Sequence, residues 1–105
     1  MTSARLNSAE PITSRRNPLV KRLRLLHHAR GRIQEGLLLL EGTHLLEEVL
    51  RLGLQPLELL ATAPWWARSN RLAAALPEAC ICHLVSEEVL AAIATTRHPD
   101  GVVLT

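Results

Sequence analysis

Five histidines, two cysteines and ten carboxylates are the groups among these 105 residues that could act chemically, and their spacing is poor for catalysis. His44 and Glu48 stand one helical turn apart and can pair, but no nucleophile accompanies them. Cys80 and Cys82 are separated by one residue in an apolar run that reads as a strand. Side chains two apart on a strand share a face about 6 to 7 Å apart, so no disulfide is expected between them. His83 then points to the opposite face, and no second ligand pair completes a zinc site. Both thiols read as buried structural groups. No residue is assigned a catalytic, cofactor-binding or metal-binding role.

What remains is charge. The net value of +2 hides a strong asymmetry. Residues 1–34 carry eight lysines and arginines against Glu10, a balance of +7, whereas residues 35–105 carry four arginines against nine acids, a balance of −5. A molecule polarised in this way presents one end to a polyanion.

The elements that must hold this charge follow from periodicity and caps. Residues 1–11 lack periodicity and close on Pro11, which reads as a mobile arm ahead of a domain over 12–105. Asn17 before Pro18 is a helix start, because Asn caps orphan amides and Pro at the first helical position loses no needed hydrogen bond. The helix is expected to run to about Ala29, with Gly31 ending it. On it, Leu19, Val20, Leu23 and Leu26 gather on one side and Lys21, Arg24 and His28 on the other. Arg15 and Arg16 stand just before the cap, and Arg32 would extend the stripe if the helix continued that far. Such side chains can track successive phosphates, releasing counterions. The plainer alternative is a solvated outer face. A mitochondrial transit peptide is a third reading of an Arg-rich, acid-poor start, and the Asn-Pro cap argues against it.

Beyond the basic segment, Leu37 to Glu41 reads as a strand, short and continuously apolar, as in a parallel sheet covered on both faces. Gly42 and Thr43 open a helix with Leu45, Leu46, Val49 and Leu50 inward, stopped by Gly53. A strand over Leu57–Thr62, a helix over Pro64–Leu76 and a strand over Cys80–Val85 follow. Ser86 caps a helix with Glu87 and Glu88 in its first turn. Pro99, Asp100 and Gly101 form a turn, and Val102 to Thr105 begins a further strand. The sequence stops inside that apolar run, as a piece of a longer chain would. The alternation of strands and helices places the chain among α/β folds.

The core must be aliphatic, since Trp65 and Trp66 are the only aromatic residues. They offer a stacking surface for unpaired bases, or else one fills the core while the other lies on the helix face; the second reading is preferred. No apolar run approaches the roughly 18 to 20 residues of a membrane span, so no membrane partner is expected. Without a secretory pattern or cysteine framework, a cytoplasmic setting is expected.

Taken in order, Ile12-Thr13-Ser14-Arg15, Asn17-Pro18-Leu19-Val20-Lys21, Arg32 four residues before Gly36, and Leu39-Leu40-Glu41-Gly42 with His44 and Glu47-Glu48 resemble one family. It is the N-terminal substrate-binding domain of the SpoU/TrmH-type RNA ribose 2′-O-methyltransferases. The likeness continues more loosely through Val85-Ser86-Glu87-Glu88-Val89-Leu90 and Gly101-Val102. His27-His28 departs from the usual pattern, where further Lys or Arg are commoner.

The resemblance implies a three-layer α/β/α sandwich of the L30e or L7Ae kind that holds structured RNA, ribosomal or transfer. It implies that S-adenosylmethionine and the usual homodimer contact belong to a separate C-terminal catalytic domain, whose motifs are absent here. It carries over Asn17, Lys21, Arg32, Glu41, Gly42 and His44 as RNA contacts, to which the helix adds Arg15, Arg16 and Arg24. Glu41 is ambiguous: it fixes the loop, or it accepts a hydrogen bond from a base or 2′-hydroxyl. The free amides after Gly42 suit a phosphate or a loop backbone. A freestanding L7Ae-like or ribosome-associated module is the alternative reading of the whole chain.

Overall fold

The computed structural model describes residues 10–97 and 99–105. The expected arm over 1–11 therefore lies almost wholly outside the described residues. Ile12 is already part of the structure: its amide donates to the Leu84 carbonyl at 2.8 Å and its carbonyl accepts from Ser86 N at 2.9 Å, forming a parallel bridge to Val85.

Helix α1 spans Pro18–Arg24, and its cap is the one read from the sequence, with Leu19 N donating to Asn17 Oδ1 at 2.8 Å. It is shorter than expected. A 3-10 turn over Leu25–His27 follows, His28 is extended, and a separate helix α2 covers Ala29–Glu35 before Gly36 ends it at φ 70°. Gly31 is thus no stop. It lies inside α2 where that helix folds back on the turn, and a Cβ there would sit 1.9 Å from the Leu25 carbonyl oxygen. The close approach is open only to glycine.

Among the described residues four strands form one mixed sheet: β1 Leu40–Glu41, β2 Glu58–Ala61, β3 Ile81–Leu84 and β4 Val102–Leu104. Their spatial order is β1-β4-β2-β3. β4 is antiparallel to both β1 and β2, and β2 is parallel to β3. The expected strand over 37–41 is laddered only at its last two residues and is antiparallel rather than parallel. As an edge strand it has one partner, and Leu38 beside it is 62% exposed.

Alternation along the strands divides the core into two layers. Leu59, Ala61, Val102 and Leu104 face α3 (Thr43–Arg51), α4 (Ala63–Arg68) and α5 (Asn70–Ala74). Leu60 and Val103 face α1 and α6 (Glu87–Ile93), meeting Val20, Leu23, Val89 and Ile93. This is the three-layer α/β/α sandwich. In α3 only Leu46 and Val49 are fully inward; Leu45 is exposed.

The helix expected over 64–76 breaks at Ser69, whose φ and ψ of −122° and 36° lie outside the helical region. Both tryptophans are buried, contrary to the split expected for them. Short α4 turns both indoles inward while its other four residues stay exposed, and each indole finds an acceptor: Trp65 donates to Thr43 Oγ1 at 3.0 Å and Trp66 to the His83 carbonyl at 3.4 Å. Their rings meet edge to face, 5.2 Å apart at 83°. Neither offers a stacking surface. Cys80 and Cys82 are buried, as read.

Candidate nucleic-acid interface

The outward face of α1 is cationic as its periodicity implies. Lys21 and Arg24 are exposed, as are Arg15 and Arg16 before the cap, and none of the four side chains has an ion pair among the described residues. Val20, Leu23 and Leu26 pin the opposite side. Two other cations of the segment are committed internally. Arg22 reaches both carboxylate oxygens of Glu58, at 2.9 and 3.0 Å. Arg32, now on α2, donates to the Leu26 carbonyl at 3.0 Å. It does not extend the α1 stripe, because the chain breaks at His28 and Arg32 instead satisfies a carbonyl that the broken helix leaves open. Asn17 likewise spends its side-chain carbonyl on the cap.

Beneath α1, Glu58 also faces His83, whose Nε2 lies 3.6 Å away and has no hydrogen-bond partner among the described residues. His83 holds the Glu58 carboxyl below its ordinary value; burial opposes this, and Arg22 adds to the lowering.

At the other end of the candidate site, Glu41 closes β1 and Gly42 stands at the helix cap with φ 101°. The Gly42 amide donates to the Val102 carbonyl at 3.1 Å. The first free amide of α3, that of Thr43, donates to Asp100 Oδ2 at 2.9 Å, and Arg68 fixes the Asp100 carbonyl at 2.9 Å. The anion position that the sequence suggested for phosphate is therefore taken by the chain's own carboxylate. The side-chain and backbone hydrogen bonds of Thr43 pull the Asp100 carboxyl below its ordinary value against weak desolvation, with Arg68 assisting.

Glu41 turns away from solvent chemistry. Its carboxylate accepts from the amides of Thr95 and Thr96 at 2.9 and 3.1 Å, and from both their hydroxyls, that of Thr96 at 3.0 Å. Burial alone would raise its titration point, and these hydrogen bonds together outweigh it, so the carboxyl titrates low. Of the two roles left open for Glu41, the geometry displays the loop-fixing one. His44 is fully exposed and pairs with Glu47 at 3.3 Å rather than with Glu48, which Arg51 holds at 2.6 Å. An open groove of about 700 Å3 runs past Glu41, Gly42, His44, Leu45 and Asp100.

The sheet separates these two halves, with α1 on one face and α3 on the other. The link between them is the segment after α6. His27 Nε2 donates to the Ile93 carbonyl at 2.5 Å, and two residues later Thr95 meets Glu41. Thr95, Thr96, Arg68 and the carboxylate of Asp100 went unnoticed in the sequence, where the only local signal was the Pro-Asp-Gly turn.

Among the described residues no group of three His, Cys, Asp or Glu side chains is placed to hold a metal ion, and no helix is long and apolar enough to cross a membrane. Comparison with known proteins converges on one group. A family model describing the MRM3-like substrate binding domain matches residues 17–104. A protein of Synechocystis sp. named as an uncharacterized tRNA/rRNA methyltransferase is 52% identical over 95 residues, which is 90% of this chain and 35% of the relative. An rRNA methyltransferase from Sinorhizobium meliloti superposes with a TM-score of 0.75 at 26% identity, over 90% of this chain and 35% of the other. An RNA 2′-O ribose methyltransferase superposes with a TM-score of 0.72 at 25% identity, over 90% and 36%. The chain spans about a third of the length of these relatives. The capped basic helix, the Leu-Glu-Gly junction and the four-stranded sheet that separates them thus sit in a known framework, and the chain belongs to the MRM3-like substrate-binding domain family.

Proposed function

We propose that this chain is the RNA-substrate-binding domain of an S-adenosylmethionine-dependent RNA ribose 2′-O-methyltransferase acting on ribosomal or transfer RNA. The observation that carries the reading is the family match over residues 17–104, supported by relatives named as rRNA or tRNA/rRNA methyltransferases. The exposed Arg15, Arg16, Lys21 and Arg24, without ion pairs among the described residues, give it a physical basis, since they form a cationic surface on and just before a helix fixed by its cap and its apolar face.

The residues present do not make a site for the methyl donor. Of the carboxylates beside the groove, Glu41 is committed to Thr95 and Thr96, Asp100 to Thr43 and Glu48 to Arg51, and Arg68 is tied to Asp100. In this reading S-adenosylmethionine belongs to the catalytic part of the parent protein; one Sinorhizobium meliloti relative, 26% identical with a TM-score of 0.71, is described as AdoMet bound. That part would also provide the homodimer contact, and the parent would work in the cytoplasm. The present residues bind and orient RNA and supply no reacting group.

The test is a titration with ribosomal RNA hairpins over a salt series. With four side chains each neutralising one phosphate, log K falls against log salt with a slope of roughly −3 to −4. Reversing charge in Lys21→Glu/Arg24→Glu weakens binding and leaves the unfolding transition in place, because both side chains point away from the core. A flat salt slope overturns the reading.

A further inference from the structure

We infer that Glu41 is a positioning residue whose carboxylate fixes Thr95 and Thr96, so that the exposed Arg97 that follows them forms a second phosphate contact. The inference rests on the RNA-binding reading above and deepens it. The resemblance carried Glu41 over as a contact to RNA; the structure gives its side chain another job, holding the two residues that precede the exposed Arg97.

Thr95, Thr96 and Arg97 are all exposed. The segment buries no large side chain, so nothing apolar offsets the entropy lost in holding its backbone still. What holds it is polar. Glu41 takes two backbone amides and two hydroxyls at once, using both carboxylate oxygens. Further along, Asp100 is fixed from two sides, by the Thr43 amide and by Arg68. Charge-assisted bonds of this kind are the strong ones among hydrogen bonds. Arg97 has no ion pair among the described residues. It follows directly on the clamped pair, while Glu41 itself leads into Gly42, Thr43 and His44 along the groove. An acidic residue beside an RNA surface is otherwise a liability, since it repels phosphate. Here its charge is absorbed by four donors and spent on geometry.

The sign of one substitution separates this from simple electrostatics. Glu41→Gln raises the net charge by one, so charge alone predicts tighter RNA binding and a salt slope that is unchanged or steeper. Loss of the clamp predicts the opposite: weaker binding, with a slope shallower by about one, as for a lost phosphate contact. Full-length chain is titrated with an in vitro transcribed ribosomal RNA hairpin and, in parallel, with a transfer RNA, each over a salt series. Thr95→Val/Thr96→Val leaves every charge in place and is expected to reproduce part of the loss. Arg97→Gln is expected to lower the slope by about one, and adding Glu41→Gln to it is expected to do nothing more. Lys21→Glu, on the other face, is expected to add its effect in full to either.

Glu41→Gln binding as tightly as the parent or tighter overturns the inference, as does full additivity of Glu41→Gln with Arg97→Gln. In both cases a Lys21→Glu defect leaves the RNA-binding reading standing. If the parent binds neither probe, or shows no salt slope, that reading and this inference fall together. Should Glu41→Gln unfold the domain, the threonine pair and Arg97→Gln decide the matter alone.

Discussion

Replacing Gly31 by alanine sets two principles of opposite sign against each other. Judged as a helix position, Gly31→Ala gains about 1 kcal/mol, because glycine is the poorer helix former. Judged in place, the new Cβ would lie 1.9 Å from the Leu25 carbonyl oxygen and 2.6 Å from its carbon. These are backbone atoms, so no side-chain rotation relieves the contact. Either α2 or the 3-10 turn must move by more than 1 Å, and Leu26 in that turn is buried in the core under α1. Overpacking of this kind costs roughly 1–3 kcal/mol and occasionally more. The severity of the overlap puts it at the upper end, for a net loss of about 2 kcal/mol. In a domain of this size that lowers the melting temperature by about 8–16 °C. Thermal and urea unfolding of Gly31→Ala beside the parent measure it. A variant as stable as the parent, or more stable, would refute the packing argument and favour the reading of Gly31 as an ordinary helix-interior position.

Asn17→Ala removes the acceptor for Leu19 N and is expected to cost about 1 kcal/mol, read by urea unfolding. Glu58→Gln breaks the pair with Arg22; because Arg22 is about a third exposed and can return to water, the expected loss is about 1–2 kcal/mol, below the cost for a fully buried pair. The pH dependence follows from three carboxyls, Glu41, Glu58 and Asp100, all lowered in the folded state. Folding favours their ionised forms, so their stabilisation is complete above the ordinary values of 4.5 for the glutamates and 3.8 for the aspartate, and is lost as pH falls through the lowered folded values. Melting temperature should therefore begin to fall near pH 4.5 and keep falling below it, less steeply in Glu58→Gln; a melting temperature that holds constant to pH 3 would contradict the assignment.

Much of the layering was legible because it is written locally. Asn17-Pro18 and Ser86 with its following glutamates are caps that act on their own neighbours, and the side chain of each accepts the amide its position calls for. The apolar periods of α1 and α6 likewise name the residues that meet the sheet. The break at His28 was not legible. Residues 19–30 keep a helical period throughout, and only the contact between Gly31 and Leu25 shows why the chain turns back. For the candidate site, exposure of Lys21 and Arg24 followed from the helix period. The internal commitments of Arg22, Arg32 and Glu41 did not, because their partners lie 36, 6 and 54 or 55 residues away. Asp100 at the start of α3 is the same case: a side chain 57 residues distant fills a position that local sequence leaves open.

The strand order also dictates when the domain can form during synthesis. β4 lies between β1 and β2, yet it is the last of these four strands to be made. Before residues 102–104 emerge from the ribosome, β2 and β3 can already pair in parallel, but β1 has no neighbour and one edge of β2 stands open. An unpaired edge in a nascent chain is a template for the wrong partner. Residues 102–104 close both gaps at once, and until they emerge the chain is a half-sheet with its basic helix attached to an unfinished core.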